Sequence, residues 1–121
     1  MVLRTGAGFL NTLRNDGRSV WIDGERVADV TSDSRFAGAA RTLSELYDLP
    51  DEGDMSYTSP KSGDPVRLSW LEPRTTGDLI ARRTMFKRWA DHTGGMFVRS
   101  PDFLAVMASS FASAESILGA D

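Results

Sequence analysis

The 121-residue chain contains no cysteine. Disulfides, thiolate zinc sites and cysteine nucleophiles are thereby excluded. Its one histidine, His92, rules out a multi-histidine metal site built from this chain, so no metal is expected. No apolar run approaches the roughly 20 residues of a membrane-spanning helix. No continuous apolar stretch follows the first N-terminal charge, so no secretory signal is expected either. These absences fit a cytoplasmic protein. A basic excess is also missing. The formal net charge is -3, which argues against a general nucleic-acid binder.

Apolar residues make up 40% of the chain and charged residues 26%, and 121 residues suffice for one domain with a moderate core. Thr5 to Asn15 reads as a short helix, capped by Thr5, with Phe9, Leu10 and Leu13 on one side. Ser19–Ile22 and Glu25–Val30 read as two strands, joined through Asp23-Gly24. Asp33 to Asp48 has the spacing of a second helix, with Phe36, Ala39, Ala40, Leu43, Leu46 and Tyr47 on its apolar face. Leu49 to Asp54 is an acidic loop. Met55–Thr58 and Val66–Trp70 read as strands around a turn rich in Pro, Gly, Ser and Asp.

Thr75 or Thr76 opens a third helix, which ends at His92-Thr93-Gly94-Gly95. Ser100-Pro101-Asp102 marks the start of a fourth, running to about Leu118. Its expected inward stripe is Phe103, Val106, Met107, Phe111, Ala114, Ile117 and Leu118. Its other faces are rich in Ala and Ser and poor in charge, so the helix is expected to be covered on more than one side.

Four stretches, in order, carry a family resemblance: Arg4-Thr5-Gly6 with Phe9-Leu10 and Leu13; Val20 to Val27 with Asp29-Val30-Thr31; Tyr57-Thr58-Ser59-Pro60 followed by Gly63; and Trp89-Ala90 through Thr93-Gly94-Gly95-Met96 to Arg99-Ser100-Pro101-Asp102. Together they resemble the N-terminal region of the 4-hydroxyphenylacetate 3-monooxygenase large-component family. The resemblance implies a mainly α fold with small β-hairpins, like the N-terminal helical domain of acyl-CoA dehydrogenases. It makes residues 1–121 one N-terminal-type domain. Family members are several times longer, and use reduced FAD from a separate flavin reductase to hydroxylate a phenol beside its hydroxyl. The flavin contacts lie mostly in middle and C-terminal domains, and the family's active-site histidine lies beyond Asp121. The expected partners are thus a second chain bearing those domains, the reductase and a small-molecule substrate.

The resemblance also singles out Arg99 and Phe103. The family's arginine at the first position points at the substrate's phenolic oxygen. There it would stabilise a phenolate and make the ring a better nucleophile. A salt-bridged arginine ahead of a helix is the competing reading. Phe103 stands where the family usually has a tyrosine. It keeps the shape and loses a hydrogen bond, which puts the usual phenolic substrate in question. A core aromatic is the competing reading there, and Val98 stands where glycine is common.

His92 fits a helix-end role better than that of a general base. Gly94-Gly95 lacks the preceding strand and glycine spacing of a phosphate loop. Arg82, Arg83, Lys87 and Arg88 read first as a solvated face, and second as contacts for an anionic partner or a flavin phosphate. The chain is therefore expected to be the N-terminal piece of a flavin-dependent monooxygenase, inactive alone. The alternative is a non-catalytic docking module of the same fold.

Overall fold

The structure, a computed structural model, describes residues 3–96 and 101–119, with the side chains of Pro101 and Asp102 left aside. It is mainly helical with two small hairpins, as the sequence predicts. Two compact units divide it, one spanning Arg4–Pro50 and one running from Asp51 onward.

In the first unit, α1 (Gly6–Asn15) begins after Thr5, whose hydroxyl accepts from the Gly8 N–H at 3.1 Å. β1 (Val20–Ile22) and β2 (Glu25–Val27) pair antiparallel, with Trp21 opposite Arg26. Asp23 and Gly24 both take positive φ, 51° and 81°, as a tight hairpin turn with the strands' own twist requires. The return strand is shorter than expected. After Val27 the chain turns at Asp29, whose carboxylate takes the N–H and hydroxyl of Thr31, each at 2.8 Å. Helix α2 (Ala37–Asp48) likewise starts four residues later than expected, because Asp33 holds a turn first. α1 packs on α2, with Phe9 and Tyr47 stacked at 5.1 Å between ring centroids and Arg4 over both rings.

In the second unit, Asp51 organises the acidic loop. Partial burial pushes its carboxyl up. The Ser56 hydroxyl and the N–H groups of Met55, Gly53 and Asp54 outweigh that and leave it below the ordinary value. β3 (Ser56–Thr58) pairs with β4 (Pro65–Arg67). The expected strand through Trp70 stops at Arg67, and Leu68–Trp70 forms a 3-10 turn instead. That turn buries Leu68 and Ser69 together and leaves Trp70 half exposed, where a strand would alternate.

Helix α3 (Thr76–Thr93) opens with a reciprocal cap. Thr75 takes the Asp78 N–H at 3.2 Å, and the Asp78 carboxylate takes the Thr75 N–H at 2.8 Å. It ends at Gly94, left-handed at φ 59°. Met55, Leu68, Met85, Trp89 and Ala105 supply this unit's buried apolar side chains. The fourth helix is not continuous. α4 (Pro101–Ser113) stops at Ala114, and a single turn, α5 (Glu115–Leu118), follows.

Candidate functional site

Arg99, the leading candidate from the sequence, lies outside the described residues, as does Val98. Phe103 stands on the first turns of α4 and is 46% exposed. Its surroundings differ from expectation. Ala105 is the buried residue of α4, at 4% exposure, while Leu104, Met107 and Phe111 are open like Phe103. At 3.6 residues per turn, Phe103 and Ala105 sit roughly 160° apart around the helix. The large apolar stripe thus points away from its own unit, and α4 packs on the Leu68–Trp70 turn with Ala105 buried. Short side chains let the helix come close to that turn, which the apolar period alone does not reveal. Within its unit Phe103 is half exposed and does not join the buried side chains.

A cleft of about 710 Å³ opens on the opposite side of α4. Ala108, Ser109, Ala112 and Ser113 form one wall, and Tyr57, Lys61, Trp70 and Arg74 stand on the others. Phe103 is not among its lining residues. The sequence reading expected the Ala and Ser faces of this helix to be covered, and so missed the cleft. The signal available was the run of Ala and Ser at helical spacing, which leaves space unfilled.

The basic cluster on α3 is also corrected. Arg82 is buried, at 8% exposure, in line with Met85 and Trp89 rather than on a solvated face. Arg88 is half buried and paired with Asp54. Lys87 reaches Asp91 at 2.6 Å, and Arg83 stays exposed. His92 lies exposed in the last turn of α3, where Gly94 and Gly95 close the helix. That end presents carbonyl groups, not the N–H groups a phosphate needs. Arg88 and Lys87 are thus engaged by carboxylates, Asp54 and Asp91. Among them no group of His, Asp and Glu could hold a metal ion, and no helix is long and apolar enough to cross a membrane.

The fold defined by these helices and hairpins recurs in flavin-linked oxygenases. The crystal structure of the oxygenase component of 4-hydroxyphenylacetate 3-monooxygenase superposes with a TM-score of 0.90 at 35% identity, over 97% of this chain and 25% of that one. The same component complexed with FAD and 4-hydroxyphenylacetate gives 0.89 at 34% identity, again over 97% of this chain and 25% of that one. A 4-hydroxybutyryl-CoA dehydratase at 23% identity shares the fold, with a TM-score of 0.68.

Residues 5–121 match the family 4-hydroxyphenylacetate 3-hydroxylase, N terminal, and the chain belongs to it. A probable 4-hydroxyphenylacetate 3-monooxygenase of Bacillus subtilis (strain 168) is 36% identical over 98% of this chain and 26% of its own length. The oxygenase component from Geobacillus sp. (strain PA-9) is 40% identical over 86% of this chain and 22% of its own length. The chain therefore spans about a quarter of the length of the relatives it matches.

Proposed function

We propose that residues 1–121 are the N-terminal domain of the oxygenase part of a two-component, FADH2-dependent monooxygenase acting on an aromatic or related small substrate. The observation that carries this reading is the match over residues 5–121 to oxygenase components four times as long. In this reading a second chain supplies the middle and C-terminal domains and holds the FAD, and a separate reductase reduces it. The assembly is a cytoplasmic hetero-oligomer.

This chain's own contribution is Arg99 and Phe103. Arg99 meets the substrate oxygen and stabilises its negative charge, and Phe103 lines the pocket one turn further along. The exposed stripe of Phe103, Leu104, Met107 and Phe111 is apolar surface of the kind that partner domains cover.

The test is co-purification, followed by flavin titration. The 121-residue chain is expected to bring down a flavin-binding chain and to bind no FAD tightly by itself. Saturable, tight FAD binding by the chain alone would refute the division of labour. Capture of a partner without flavin would favour the docking-module alternative.

A further inference from the structure

On the two-chain reading above, we propose that Arg82 is the docking point for a carboxylate of the flavin-binding chain, the side chain of an aspartate or glutamate. Arg82 is 8% exposed, yet no hydrogen bond or ion pair joins it to another of the described residues. The other basic residues of α3 differ from it. Arg88 and Lys87 have carboxylates, and Arg83 is exposed, where water serves it. A guanidinium covered from water and left without a counter-charge is costly. Its acceptor has to come from outside the described residues.

The sign of that acceptor follows from the group itself. Arginine carries five N–H donors, no acceptor and a permanent positive charge. Asp78, one turn earlier on α3, is ionised but committed to the start of the helix. It takes the N–H groups of Arg74 and Thr75 at 2.9 and 2.8 Å, and no ion pair joins it to Arg82 among the described residues. A carbonyl or a water would satisfy the donors and leave the charge. A carboxylate answers both, and its two oxygens match the guanidinium fork.

The neighbours favour an acid carried by a protein. Met85 and Leu79, three residues to either side of Arg82, flank it around the helix. Met85 is fully buried, whereas Leu79 is 56% exposed. Arg82 therefore sits at the margin of the core, within a partner's reach. Phe86, four residues on, is half-buried on the same side as Leu79. An arginine shielded by apolar neighbours is typical of the energetic centre of a protein interface. A free anion would cover the guanidinium and leave Leu79 in water.

The test measures the affinity of the 121-residue chain for the flavin-binding chain by calorimetry, beside thermal melts of the isolated chain. Arg82→Met keeps the bulk of the stem and removes the charge. It is expected to melt no lower than wild type and to bind the partner at least tenfold more weakly, with Arg82→Lys between the two. In the Arg82→Lys complex, a zero-length carbodiimide is expected to couple position 82 to an aspartate or glutamate of the partner, identified by mass spectrometry. A lower melting temperature for isolated Arg82→Met would assign the acceptor to its own chain and overturn the proposal. Coupling of position 82 to Asp102 of the same chain, or no coupling there, would overturn it as well. Unchanged affinity of Arg82→Met beside a tight wild-type complex strikes the docking point alone. Failure of the wild-type chain to bind any flavin-binding chain strikes the two-chain reading, and the docking point with it.

Discussion

The N–H of Gly6 donates to Oδ1 of Asp48 over 2.8 Å, joining the first residue of α1 to the last of α2 across 42 positions of sequence. An acid at a helix N-terminus is favourable in itself, since the first N–H groups there lack partners. Here the acid comes from another helix, and it can approach because Gly6 has no side chain. A Cβ on Gly6 would collide with the Ser44 carbonyl and the Asp48 carboxylate. Gly6→Ala should therefore destabilise the protein by about 1–3 kcal/mol, the usual cost of overpacking. Gly38→Ala is the control: it lies inside α2 with nothing within 4 Å of the new carbon. It should stabilise by about 0.5–1 kcal/mol. Thermal melts of both variants check the contrast.

Arg99→Ala, in the assembled complex, should lower substrate-dependent hydroxylation and leave flavin binding in place. A charge-assisted contact of this kind is worth about 1.5–3 kcal/mol, read as the drop in kcat/KM. Phe103→Tyr should improve capture of a phenolic substrate. Wild-type turnover in a folded, assembled Arg99→Ala complex would make this chain scaffold only.

The outward stripe of α4 should carry assembly. Phe111→Asp and Leu104→Glu each place a charge on an exposed apolar residue. Both are expected to abolish association with the partner while leaving the isolated chain folded, as gel filtration and circular dichroism would show. A substitution at Ala108 should act on the cleft instead.

Arg88 and Lys87 are neighbours with unequal pairs. Lys87 and Asp91 are exposed, and such a pair contributes about 0.3–0.5 kcal/mol. Arg88 and Asp54 are about three-quarters covered, at 25% and 30% side-chain exposure. Removing Arg88 leaves a partly buried carboxylate without its partner. Urea denaturation should show Arg88→Ala losing clearly more stability than Lys87→Ala.

Asp33 offers a pH test. The Arg35 side chain and its N–H bind the carboxylate, at 2.7–3.0 Å, and hold it at about 2. The folded value lies below the unfolded one, so the stabilisation is present above about pH 4. It fades as pH falls through the folded value. Asp33→Asn should flatten part of the fall in melting temperature between about pH 4 and 2, and an NMR titration of Asp33 gives its midpoint directly.

Much of the fold was legible in local sequence. Thr5, Asp23-Gly24 and Gly94 mark their helix and hairpin ends because capping and positive φ depend on a few adjacent residues. The family resemblance was legible for the same reason: its motifs sit at those landmarks. Start and stop signals also gave the existence of α3 and α4, though not the break at Ala114. What the sequence could not determine is which side of each helix faces in. Phe103, Met107 and Phe111 form the more apolar stripe of α4, yet Ala105 is what packs, since close approach to the Leu68–Trp70 turn selects small residues over hydrophobic ones. Arg82 was read as solvated by its charge, and its burial follows from its alignment with Met85 and Trp89. The cleft, too, belongs to tertiary structure alone: it exists because short residues on α4 meet an aromatic wall some forty positions away in the chain.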